Sequence, residues 1–152
     1  MQLEELLTSE TIRLQVHAID PMHAIQIAGE LLIASGGVEE RYIEAMKRSL
    51  ITNGPYMVIV PGIALLHARP EDGVKKVCMS LITLATPLNF GNEDNDPVSL
   101  AFALGAVDHD QHMDAMTALA RLLGDEQALA ALRSSTSIEA VLKVITVASL
   151  EV

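Results

Sequence analysis

The chain has 152 residues, half of them hydrophobic and only 3% aromatic, which suits one domain whose core is built from Leu, Ile, Val, Ala and Met. Ten basic residues against twenty acidic ones leave a formal net charge of -10. That balance argues against nucleic acid and against an anionic lipid surface as partners, because both need clustered Lys and Arg.

MQLEELLTSE opens the chain without the basic region and apolar run of a signal peptide, and reads as a short helix or an irregular segment. Ile12 to His17 alternates like a strand. A helix follows, with Asp20 as N-cap, Pro21 at its first position and Gly36-Gly37 at its end. A second helix runs through EERYIEAMKRSLITNG, with Tyr42, Ile43, Met46 and Leu50 near one face, and Asn53-Gly54-Pro55 stops it. YMVIV and IALLH read as strands separated by Pro61-Gly62, and Arg69–Gly73 as a turn. VKKVCMSLITLA is another strand, PLNFGNEDNDP a long acidic loop, and VSLAFALGA a mostly buried strand. The windows MVIVPGIALL and CMSLITLATPL are broken by Pro, Gly or polar residues and predict no membrane span. The last third is helical in three segments. Asp108 and Gln111 form a capping box for the first, Gly124-Asp125 separates the second, and Thr136 with Glu139 caps the third. Strands followed by helices predict an α/β domain covering residues 1–152, soluble and cytoplasmic.

Three candidates stand out for chemistry: His67, His112 with His109 close by, and Arg48. His67 ends the run PGIALLHARPEDG, where an imidazole can be a nucleophile, a base, a ligand or a partly buried core group. With Asp108 as N-cap, His109 and His112 fall at the first and fourth helical positions, near backbone N–H groups that can bind an anion, although surface histidines also occur there. Arg48 lies late in the second helix, where a guanidinium can clamp a phosphate or simply complement the helix dipole.

Other chemistries find less support. His67, His109 and His112 with Asp108 or Asp110 could in principle ligate zinc, but HExxH and paired cysteines are absent, and Cys78 is the single cysteine. Neither GxSxG, GxGxxG nor GxxxxGK[ST] occurs. Glu93, Asp94 and Asp96 do not follow EF-hand spacing and read as a solvated loop. The methionines read as core filling.

Taken together, PGIALLHARPEDGV, PLNFGNEDNDPV, ALGAVDHDQHMDAMTALARLL and the helix YIEAMKRSLITNGPY resemble the mannitol/fructose-type EIIA domains of the bacterial sugar phosphotransferase system, in family order and over most of the chain. The resemblance implies a single mixed β-sheet flanked by helices. It implies that His67 is the phosphorylated nucleophile, that His112 donates a hydrogen bond to the phosphoryl oxygens, and that Arg48 supplies positive charge. The partners it implies are the carrier HPr as donor, a cysteine of a cognate EIIB as acceptor and, indirectly, the membrane component EIIC. Nε2 of His67 is the expected attacking atom, with a backbone carbonyl holding the other ring nitrogen. No metal or other cofactor is implied.

One departure from the family pattern is Leu66, where the family usually has proline before the histidine. The forms NGPYMVIVPGIALLHARPEDG and FGNEDNDPV resemble ascorbate-type and cryptic mannitol-type members, which points to L-ascorbate or a mannitol-like substrate. A regulatory protein that keeps this fold and senses phosphorylation state is the alternative, with a metal-dependent enzyme behind it. For HPr, the expected docking surface is an apolar patch around the histidine rimmed by the acidic stretches NEDND and VDHD.

Overall fold

Five strands, β1 (Ile12–Val16), β2 (Val58–Val60), β3 (Ile63–Leu66), β4 (Cys78–Leu88) and β5 (Val98–Gly105), form one sheet in the order β1-β4-β5-β3-β2. The computed structural model describes residues 1–150. The sheet is mixed: β1 runs parallel to β4 and β3 parallel to β5, whereas β4 and β5, and β2 and β3, are antiparallel.

The period-2 alternation of the strands builds two cores. Along β5, Ala101 and Ala103 face one side while Leu100, Phe102 and Leu104 face the other. β3 repeats this parity, with Ala64 and Leu66 on the first side and Ile63 and Leu65 on the second. The small residues of β5 accommodate helices α2 (Pro21–Ala34) and α3 (Glu40–Asn53), which pack over the first face. The larger ones pack against α1 (Leu3–Leu6), α4 (His109–Leu123), α5 (Glu126–Ser134) and α6 (Ile138–Leu150) on the second. A mixed sheet flanked by helices is the expected class. The buried Ser80 hydroxyl of β4 donates to the Ala28 carbonyl at 2.9 Å, so even the polar group facing α2 is satisfied. Gly29 lets α2 and α3 approach closely, since a Cβ there would stand 2.5 Å from Ile43 Cγ1.

Helix starts largely follow the sequence signals. The Asp20 carboxylate accepts from His23 N–H at 2.8 Å, and Pro21 occupies the first turn of α2. Asp108 accepts from Gln111 N–H at 2.8 Å, but the Gln111 side chain reaches past the cap to accept from Val107 N–H at 3.1 Å. The cap of α6 differs from expectation. Ser135 Oγ accepts the Ser137 N–H at 3.2 Å, and Ser137, rather than Thr136, then caps Ala140 N–H at 3.2 Å. The serine turn moves the helix start one residue along.

Two further boundaries shift. β4 begins at Cys78, not Val74, because Lys75 and Lys76 N–H donate to Gly37 O and tie this stretch to the α2–α3 link. The acidic loop shortens, since β4 continues through Thr86-Pro87 to Leu88 opposite Val98. In what remains, Asp96 accepts from the N–H groups of Phe90, Gly91 and Asn92 at 3.1, 2.8 and 2.9 Å. Gly62 N–H donates to Asn95 O at 2.8 Å, which seats the loop on the turn before β3.

Candidate active site

β3 and β5 run side by side until Leu66 faces Ala103, their last rung. His67 comes next. By the parity of Ile63 and Leu65, its side chain turns toward the face covered by α4. β5 ends at Gly105, and three residues later Asp108 starts α4. The carboxyl ends of two parallel strands and the N-terminus of one helix therefore meet here, where open α/β sheets tend to hold ligands.

The two histidines of the sequence reading come together. Their ring centroids lie 6.0 Å apart with planes inclined by 50°. Both are half-buried and line a cavity of about 210 Å³ with Pro70, Leu104, Ala106 and His109. His67 Nδ1 lies 2.9 Å from the Leu65 carbonyl oxygen. That oxygen can only accept, so Nδ1 carries the proton and Nε2 keeps the lone pair of the neutral ring. Burial, and then the positive charges of His67 and His109 when protonated, push the His112 pKa below its ordinary value of 6.5. At neutral pH His112 is therefore an uncharged imidazole, with one N–H to give. Exposed Val107 and Met113 border the helix start and supply apolar surface beside the cavity.

Arg48 is exposed on α3 and does not line the histidine cavity. It borders a neighbouring depression of about 180 Å³ with Ser49, Thr52, Arg69 and Asp72, and Ala68 is common to both. Asp72 accepts from Arg69 N–H at 3.0 Å and from Arg69 Nε at 3.4 Å. Burial would raise the Asp72 carboxyl, but these hydrogen bonds and the charges of Arg69 and Arg48 hold it below the ordinary value. Arg48 thus faces an existing carboxylate on the far side of Ala68.

The sequence pattern places Tyr42 only on the core face of α3. It is fully buried, and its hydroxyl accepts from Ala68 N–H at 2.9 Å and donates to Leu104 O at 2.6 Å. The available signal was a tyrosine in an apolar helix stripe, because a buried phenol requires a polar partner.

One expectation needs correction. The NEDND loop packs at the start of β3 and β5, whereas His67 lies past the end of β3. It cannot rim the site; at the start of α4 the acids are the N-cap Asp108, which lines the cavity, and Asp110 in the first turn, with Asp114 one turn further along. Among the described residues, no group of three or more His, Cys, Asp or Glu is placed to hold a metal ion. Burial pushes the Cys78 thiol up to about 11, so it carries no thiolate at neutral pH.

The chain as a whole is similar to known proteins. Residues 5–147 match the family model described as "Phosphoenolpyruvate-dependent sugar phosphotransferase system, EIIA 2". The chain is 39% identical over 143 residues to the ascorbate-specific PTS system EIIA component of Escherichia coli strain K12, covering 93% of each. Among solved structures, the cryptic mannitol-specific phosphotransferase enzyme IIA of Escherichia coli superposes with a TM-score of 0.86 at 36% identity, over 96% of this chain and 99% of that one. Enzyme IIA in the complex of mannitol enzyme IIA with phosphorylated enzyme IIB from Escherichia coli gives 0.80 at 29% identity, over 93% and 99%.

Proposed function

The chain belongs to the EIIA type 2 family of the phosphoenolpyruvate-dependent sugar phosphotransferase system, and from that premise we propose that His67 carries the phosphoryl group between HPr and a cognate EIIB. The observation that carries this reading is the contact between His67 Nδ1 and Leu65 O, with His112 beside the ring. It leaves Nε2 as the nucleophile. In the first step, Nε2 attacks phosphorus in line. The Nε2–P bond forms as the N–P bond of phospho-HPr breaks, and the HPr imidazole leaves with the electron pair. In the second step, an EIIB thiolate attacks the same phosphorus, the S–P bond forms as the Nε2–P bond breaks, and the electron pair returns to Nε2 of His67, which leaves as neutral imidazole still protonated at Nδ1. His112 donates its N–H to a phosphoryl oxygen and so holds the charge spread over the transferring group in each transfer. Arg48 can contribute positive charge only from across Ala68, or by turning its side chain out of the depression it shares with Asp72.

Leu66 takes the place of the family proline as a packed strand residue. It is fully buried against the α2–α3 core and sits opposite Ala103. Packing, rather than a fixed proline ring, then defines the backbone entering His67.

For the substrate we infer L-ascorbate, supported by the identity to ascorbate-specific relatives. A mannitol-like sugar is the alternative, favoured by the cryptic mannitol enzyme IIA fold match. Because EIIA hands phosphate to EIIB and not to the sugar, the choice lies in EIIB recognition. No helix among the described residues is long and apolar enough to cross a membrane. From the family relay we infer that the chain meets the membrane component EIIC only through EIIB, on the cytoplasmic side.

The test is a reconstituted relay. The protein is incubated with phosphoenolpyruvate, enzyme I and HPr, and then offered ascorbate-type or mannitol-type EIIB. Uptake of acid-labile phosphate and faster transfer to the ascorbate-type EIIB is expected. Uptake without onward transfer to either EIIB would favour a regulatory role, and no uptake would overturn the carrier assignment.

A further inference from the structure

We propose that Tyr42 is a positioning residue for His67, and that its hydroxyl replaces the strand rung lost where β3 leaves the sheet. The register Leu66↔Ala103 would next pair His67 with Leu104. No such rung forms, because the chain turns away at His67 toward Pro70. The Tyr42 hydroxyl fills the gap. It accepts from Ala68 N–H at 2.9 Å and donates to Leu104 O at 2.6 Å. One phenol thus fastens the residue after His67 to the residue that would have faced it, and both of those residues line the histidine cavity.

The consequence for His67 is geometric. Its ring is fixed on one side by Leu65 O, two residues back. That bond persists only while the backbone on both sides of His67 holds its direction. Upstream, residues 63–66 are held by the β5 ladder. Downstream, Ala68 is held by Tyr42. Tyr42 itself is anchored by complete burial in the core that α3 shares with the sheet. Its phenol pKa is raised, because burial disfavours the phenolate, so the hydroxyl keeps the proton it donates. Removing only the oxygen leaves the partly buried Ala68 N–H and the buried Leu104 carbonyl without this partner and lets the His67–Ala68 segment turn. The fraction of His67 with Nε2 unprotonated then falls, and so does the share of encounters aligned for in-line attack.

This inference rests on His67 being the phosphoryl acceptor, and the test separates the two. Tyr42→Phe and wild type are compared at a temperature where the amide spectra show both folded. The measurements are the rate of phosphoryl uptake from phospho-HPr and the ¹⁵N shifts of the His67 ring. The expected result for Tyr42→Phe is a fall of roughly 10- to 100-fold in maximal uptake rate. The phospho-HPr concentration giving half-maximal rate should stay within about twofold, and the His67 nitrogens should move toward a mixture of tautomers. A general loss of stability would not change the tautomer of the folded protein. Wild-type rate and unchanged ring shifts in Tyr42→Phe would overturn the proposal. Should the variant not fold, hydrogen exchange in wild type decides: a protected Ala68 amide supports the bond to Tyr42, and exchange at the open-loop rate overturns it. If wild type takes up no phosphate, the carrier reading fails, while the ring shifts and the Ala68 amide still judge Tyr42.

Discussion

Replacing His112 by alanine should slow phosphoryl transfer without removing the acceptor. The ring of His112 lies 6.0 Å from that of His67, centroid to centroid, which leaves room for a phosphoryl group on Nε2 to meet it. A preorganised donor in a closed site is worth roughly 10²- to 10³-fold in rate. Here His112 is only half-buried, and water can replace part of its hydrogen bond. The effect then falls below that range, to roughly 10- to 100-fold, or about 1.4–2.7 kcal/mol at 1.36 kcal/mol per tenfold. Rapid-quench measurement with labelled phospho-HPr reads this directly. His112→Ala should reach the same final stoichiometry as wild type, more slowly. His112→Gln, which keeps an N–H donor, should recover part of the rate. A wild-type rate in His112→Ala would refute the contact with the transferring group. A folded His112→Ala that never takes up label would refute the division of roles between the two histidines.

Three other outcomes follow from the same geometry. NMR titration should place the His112 midpoint below 6.5, and His67→Ala should raise it by opening the site and removing a neighbouring positive charge. Because the folded pKa is depressed, His112 contributes stability above the unfolded value that is lost as pH falls through the folded one; a midpoint at or above 6.5 contradicts this. Leu66→Ala should cost about 2–5 kcal/mol in denaturant melts, since it empties a fully buried site in the α2–α3 core; a loss below about 1 kcal/mol would show that Leu66 does not fix the strand. Uptake from phospho-HPr should slow with added salt, and Asp110→Asn with Asp114→Asn should flatten that dependence, because the acids on this side belong to α4. A rate indifferent to salt would remove the steering argument.

The parts legible in sequence were those governed by local rules. Asp20 and Asp108 announce helices because a short carboxylate there satisfies a free N–H, and both do so. The run LAFAL announces a strand buried on both faces, and its small and large residues divide between the two helix layers. His67 and His112 could be paired only through family resemblance, since 45 residues and a sheet crossing separate them. What stayed hidden depends on where segments land. Nothing in NEDND shows that Asp96 turns inward to bind three N–H groups at the pole away from the histidines. Arg48 carries the right chemistry, but its approach depends on Asp72, which α3 meets only in the folded chain. Tyr42 looks like any other apolar-stripe residue until its hydroxyl is seen between Ala68 and Leu104.

The central claim is that phosphate resides on Nε2 of His67. ³¹P and ¹⁵N NMR of the protein after incubation with phosphoenolpyruvate, enzyme I and HPr tests it, with His67→Ala run in parallel. The account predicts one phosphohistidine, with phosphorus coupled to Nε2 of His67 and none in His67→Ala. Equal labelling of wild type and His67→Ala, or coupling to Nδ1, would contradict it.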